Sequence, residues 1–361
     1  MAVVVRSPGE ILDALRSPYA AEELVEQGPV LAISLDRSVA LPEALLEVGS
    51  LPVVVAGISD GGTPRGPGLD VFDLLLTDRR DLDAEAEQRD HTAGGDGWVA
   101  PPDGARSALE DLARRAALRP QASVTLAQLL RLSRRASVAN ALVAESLAYA
   151  TLQAGTEFRR WLASREPPRF HPPAARDAAV ALERDGTTLR LRFCRPEIHN
   201  AFGTSARDEL VEGLQLAAAD PTIRCVHLSG EGRSFCSGGD LREFGSMGDP
   251  AEAHLVRSTR SPGRWLHHLR ERVVVELHGA CIGAGIELAA FGGEVVAHGD
   301  TRIQLPELDM GLVPGAGGTV SLPRRMGRRR TAWLCLSGAV LDAQRALRWG
   351  LVDRLAPDDP G

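Results

Sequence analysis

The chain has 361 residues and a formal net charge of −7, and all 41 residues of its Lys-plus-Arg set are Arg. Without lysine there is no Schiff-base or PLP–lysine chemistry, no P-loop lysine and no lysine general base, so Arg, backbone N–H groups or a metal must meet any ligand phosphate. Hydrophobic residues at 44% and charged residues at 25% describe a globular chain of one large or two ordinary domains, and mild acidity argues against a nucleic-acid or anionic-membrane partner.

In chain order, the first apolar run, Val3-Val4-Val5, is too short for a signal peptide. Strands are expected at 30–35, 51–55 and 72–76. After Gly94-Gly95 apolar residues recur at helical spacing over 105–117 and 124–135, then along one long helix over 138–164 that includes Leu142, Leu147, Leu152 and Trp161. Four prolines between Glu166 and Pro173 can continue neither a helix nor a central strand, so 166–176 is expected to be a linker between an N-terminal region, 1–165, and a second domain, 177–361. There, strands at 189–193, 225–228, 273–277 and 294–297 alternate with helices at 205–219, 251–270, 283–291 and 343–349, which predicts an α/β fold. A weak repeat pairs Val53-Val54-Val55 with Val273-Val274-Val275, each followed 21 residues later by a further strand. No stretch of about 18 uninterrupted apolar residues is present to span a bilayer. The five cysteines (Cys194, Cys225, Cys236, Cys281, Cys335) form no CxxC pair and the nine histidines show no metal spacing, so the expectation is a cytoplasmic protein without a metal site.

Three segments of the second domain suggest chemistry. Ser234-Phe235-Cys236-Ser237-Gly238-Gly239-Asp240 follows a strand, and its small residues can present bare N–H groups. His278 to Ala289 reads as strand, glycine turn and helix start, where unpaired N–H groups favour developing negative charge. Leu305 to Thr319 carries Glu307 before a second glycine-rich helix entrance. Together they would stabilise an oxyanion while carboxylates move protons. Asp240 is expected to cap a helix.

The run Arg195-Pro196-Glu197-Ile198-His199-Asn200-Ala201, followed by SFCSGGDL, HGACIGAGIELA, LPELDMGLVPGAGGT and the stretch from Leu336 to Asp353, resembles the crotonase superfamily, the enoyl-CoA hydratase/isomerase family, over about residues 178–357. The resemblance implies a spiral of ββα units that binds an acyl-CoA thioester, needs no further cofactor and assembles as a homo-oligomer, a trimer or hexamer. Carried over by position, it implies oxyanion-hole N–H groups at Cys236 and Ala284, catalytic glutamates at Glu287 and Glu307, and a water-positioning glycine at Gly315. It also implies substrate or CoA contacts at Arg195, Ser234, Ser237, Gly238 and Gly283. Paired glutamates favour a hydratase or dehydratase, since one can activate water while the other protonates the α-carbon.

The chain departs from the family by stopping nine residues after Val352, where members typically continue for about sixty helical residues. Helices at 105–165 are of that size, which suggests that the N-terminal region is a degenerate copy whose helices serve the second domain. At the 220-residue offset Ala284 and Glu287 fall on Pro64 and Pro67, so such a copy would hold no second site of this kind. Arg324 to Arg330 is expected to be a solvated helix face or, with Arg195, a contact for CoA phosphates. Two other readings stay open: a cofactor-independent dioxygenase or other enolate chemistry on an arylacetyl- or polyketide-derived acyl-CoA, and a non-catalytic partner or scaffold.

Overall fold

A computed structural model describes residues 3–35, 43–66, 68–79, 82, 97–133, 135–165 and 178–357; the expected linker and Pro67 lie outside them. The N-terminal half forms a fully parallel sheet in sequential order: β1 (Val5–Arg6), β2 (Val30–Ser34), β3 (Val54–Ser59), β4 (Leu74–Thr77) and β5 (Trp98–Val99). Every residue of β3 and β4 is buried, as continuous apolar runs require when both faces of a parallel sheet are covered. Helices α1 (Pro8–Ala14) and α2 (Ala20–Glu26) lie early in this half, and α3 (Ala105–Leu118), α4 (Pro120–Ser133), α5 (Val138–Gln153) and α6 (Thr156–Ser164) close it. The single helix expected over 138–164 is two, because the N–H of Gly155 turns back to Leu152 O and ends the first.

The second half opens with an antiparallel hairpin, β6 (Val180–Asp185) and β7 (Thr188–Phe193), then α7 (Thr204–Ala219) and β8 (Cys225–Gly230). Next come α8 (Pro250–Thr259) and α9 (Pro262–His268), one helix in the sequence reading; Ser261 caps a new start and Pro262 occupies its first turn. The remaining elements are β9 (Val273–Leu277), β10 (Ala280–Ile282), α10 (Ala284–Ala289), β11 (Glu294–Ala297), β12 (Arg302–Gln304), α11 (Gly318–Met326), α12 (Arg328–Ser337), β13 (Leu341–Asp342), α13 (Ala343–Arg348) and β14 (Arg354–Leu355). Six strands form a sheet in the order β14-β11-β9-β8-β7-β6, and β10-β12-β13 form a second, smaller one. In β9 buried and half-buried residues alternate, so one sheet face is packed and the other partly open.

One apolar core crosses the two halves: Val54, Leu74, Leu109 and Leu126 belong to the same cluster as Leu228, Leu322 and Leu336. A smaller cluster, including Ile11, Ile33 and Phe72, fills the other side of the first sheet. The arginine-rich stretch is neither a solvated face nor open to a phosphate. Arg328 pairs with buried Asp73, which also pairs with Arg131 and accepts the N–H of Val55 at 2.8 Å. Arg329 donates to Leu69 O and Phe72 O, Arg324 to Ala136 O, and Arg325 to Gly292 O and Asp353. Most of these guanidinium groups close carbonyls across the seam, and Arg325 does so within the second half. Among the described residues no helix is long and apolar enough to cross a membrane.

Candidate active site

A cavity of about 370 Å³ opens where α5 meets the second half. Glu145 and Tyr149 wall it on one side, Gly239, Ala284 and Glu287 on another, and Glu307 and Gly315–Gly317 close it. The turn from β10 into α10 passes through Gly283 at φ 48°, where a Cβ would lie 2.4 Å from Glu307 Oε1, so only glycine allows this approach. Ala284 then opens the helix, and its N–H has no acceptor among the described residues. The same is true of the N–H groups of Gly239 and Gly315. Three residues whose backbone N–H groups have no acceptor among the described residues therefore line one cavity.

Cys236 is not one of them. Its N–H donates to Ala280 O at 3.1 Å and its carbonyl accepts from Ile282 N–H at 3.0 Å, so its backbone is committed to a bridge beside β10 and cannot serve an oxyanion. The unpaired donor of this segment is Gly239, three residues on. Burial pushes the Cys236 thiol up to about 12, which keeps it protonated, an apolar filler.

Glu287, 2% exposed, accepts from the N–H groups of Ala316 at 2.7 Å and Gly318 at 2.8 Å, both through Oε2. Glu307 is also buried, and its Oε2 has no hydrogen-bond partner among the described residues. Glu145, absent from the sequence reading of the site, accepts from Gly317 N–H at 2.7 Å and from the N–H and hydroxyl of Thr319 at 2.8 and 2.6 Å. Burial, with the charges of Glu307 and Glu145 next, drives Glu287 well above the usual carboxylate range, against the pull of its two N–H donors. Burial also lifts Glu307 to about 8 and Glu145 to about 7. Three acids so placed cannot all ionise at neutral pH. Glu307, with an unpartnered oxygen, is best suited to keep a proton; Glu287, with two donors on one oxygen, is better suited to lose one.

Ala284, Glu287, Glu307 and Gly315 are thus brought together, while Arg195, Ser234, Ser237, Gly238 and Gly283 do not line the cavity. Ser234 hydrogen-bonds His199 through its hydroxyl at 3.2 Å, and the Ser237 N–H donates to His199 O at 3.0 Å. Gly238 O accepts from Phe202 N–H at 2.8 Å, and the Arg195 N–H donates to Asn200 Oδ1 at 2.9 Å. Asn200, at φ 55°, also donates to Glu231 O and Ser234 O, knitting this loop under the cavity. Asp240 caps no helix; it holds Arg242 and lines the cavity. The guanidinium groups at the cavity are Arg207 on α7, Arg257 on α8, Arg260 just past its end and Arg264 on α9, with no local motif to announce them.

Residues 183–360 match the family model described as Enoyl-CoA hydratase/isomerase. The chain is 35% identical over 182 residues to the 2,3-dehydroadipyl-CoA hydratase of Escherichia coli, a match covering 50% of this chain and 70% of that protein. It is likewise 35% identical to the 1,2-epoxyphenylacetyl-CoA isomerase of Escherichia coli, over 47% of this chain and 67% of the relative. A solved enoyl-CoA hydratase from Thermoplasma volcanium is 33% identical, with a TM-score of 0.47, covering 50% of this chain and 73% of that one. The family-model match over residues 183–360 and the 35% identity across 70% of the Escherichia coli hydratase make this chain a member of the crotonase superfamily, the enoyl-CoA hydratase/isomerase family.

Proposed function

We propose that the protein hydrates a 2-enoyl-CoA thioester, or dehydrates the corresponding 3-hydroxyacyl-CoA. The observation that carries this reading is the convergence of two buried carboxyls, Glu287 and Glu307, on a cavity that also holds the unpaired N–H groups of Gly239, Ala284 and Gly315. In the forward direction the thioester oxygen lies between the Gly239 and Ala284 N–H groups, which stabilise its charge as the enolate forms. Glu287 accepts a proton from the attacking water, which Gly315 N–H orients, and the water oxygen bonds to the β-carbon. Glu307 gives its proton to the α-carbon, and proton exchange between the acids restores the starting state. Arg207, Arg260 and Arg264 replace Arg195 and the 324–330 stretch as candidates for meeting CoA phosphate.

Crotonyl-CoA and an arylacetyl-CoA, each offered with and without oxygen to wild type and Glu307→Gln, test the reading. Water addition that Glu307→Gln loses supports it. Oxygen uptake would assign a dioxygenase, and thioester binding without turnover a scaffold.

We also propose that the N-terminal half is a decayed copy of the catalytic half, lent to its neighbour as helices. Support comes from the two sequential parallel strand runs, β2-β3-β4-β5 and β8-β9-β11-β14; Pro64, at the place of Ala284, would leave such a copy without a site of this kind. Residues 174–361 expressed alone should be insoluble or inactive; full activity would refute the idea.

A further inference from the structure

Glu145 sits on α5, in the N-terminal half, and is 2% exposed. The start of α11 presents four successive N–H groups without helical partners, those of Ala316, Gly317, Gly318 and Thr319. They are dealt alternately: Ala316 and Gly318 to Glu287, Gly317 and Thr319 to Glu145. A helix start attracts a carboxylate, and a hydroxyl would suffice to cap it. Two buried carboxylates on one start exceed what folding needs and repel each other. Their arrangement also links the halves at the one loop that carries Gly315.

We propose that Glu145 is a positioning residue of the catalytic centre: it fixes the 316–319 helix start from the far side, so that Glu287 is held against the cavity beside a second buried acid. The inference rests on the hydratase reading above. The charge of Glu145 acts on both reacting acids, helping to raise Glu287 and Glu307. Facing Glu145 are Glu287 from α10, Glu307 from the turn before Gly311, Tyr149 from its own helix and the buried Cys335 of α12. Arg257 of α8 opposes these charges, and it and His254 both hydrogen-bond Ser146, the next residue along. Glu145 touches no reacting atom in this scheme; it acts through Glu287 and Glu307.

The test is the pH dependence of kcat/KM for the full chain on a 2-enoyl-CoA, in wild type, Glu145→Gln, Glu145→Asp and Glu287→Gln. Removing the charge with Gln should shift both limbs of the bell to lower pH, by about one unit, with a several-fold drop at the maximum. Keeping the charge but shortening the reach with Asp should lower the maximum and leave the limbs in place. A Glu145→Gln bell that only shrinks, or does not change, overturns the proposal. If that variant does not fold, an unchanged maximum in Glu145→Asp overturns it instead. Glu287→Gln separates the two levels: turnover retained there removes the hydratase reading itself, whereas turnover lost there with an unmoved Glu145→Gln bell removes only the role of Glu145.

Discussion

The ring of Tyr149, from the N-terminal half, fills the space that a side chain at Gly315 would need: a Cβ there would lie 2.4 Å from two ring carbons. Gly315→Ala must therefore push the ring aside or shift the loop, at a cost of about 1–3 kcal/mol. The variant should fold with a lower melting temperature and lose most of its turnover. In a Tyr149→Ala background, itself destabilised by loss of the ring, adding Gly315→Ala should lower the melting temperature less than it does in wild type, which differential scanning calorimetry would read. Unchanged stability in the single variant would show that the ring does not rest there.

Substituting Glu287 or Glu307 by Gln should each reduce turnover by about 10²–10⁴, read as loss of the enoyl-thioester absorbance. The pH profile should fall on the alkaline side as Glu307, with its pKa near 8, gives up its proton.

Stability should follow the same proton as activity. The folded state holds the Glu307 proton up to about 8, against an ordinary value of 4.5, so the stabilisation is complete below 4.5 and lost as pH rises through 8. The protein should be a few kcal/mol more stable near pH 5 than near pH 8.5 by urea titration. Glu307→Gln should flatten much of that slope while abolishing activity. A slope that survives the substitution would assign it to other groups.

Backbone accounting separates two residues that the sequence weighted equally. Cys236→Ala should leave turnover within a few-fold of wild type, because it removes only a buried, protonated thiol and leaves the N–H on Ala280 O in place. Ala284→Pro removes a donor at the first helical position, where proline is tolerated, and should cost about 10²–10³ in turnover with unchanged circular dichroism. Equal losses in the two would contradict the assignment.

Removing Asp73 strands Arg131 and Arg328 in the seam, and Asp73→Ala should destabilise by about 3–5 kcal/mol by denaturant titration.

Much of the site was legible because it is local. Glu287, Ala284, Glu307 and Gly315 lie in two short segments, and strand–glycine–helix junctions announce themselves by residue type. Strand positions such as 273–277 and 294–297 were equally plain from their valine runs. What escaped the sequence depends on distant partners. Cys236 and Gly239 differ only in which N–H another strand consumes. Glu145 reads as one polar residue on an apolar helix until α11 is set beside it. The arginines at 324–330 carry a surface composition, yet several of their acceptors lie about 190 to 260 positions away, beyond any local pattern.

A cavity whose walls come from two halves of a chain has a thermodynamic corollary. Any ligand that fits only the joined arrangement stabilises the joint by the logarithm of its saturation. Substrate would thus serve as an adhesive as well as a reactant. Forces that pry α5 from α11, whether heat, denaturant or mutation, should be resisted most strongly when the thioester is bound.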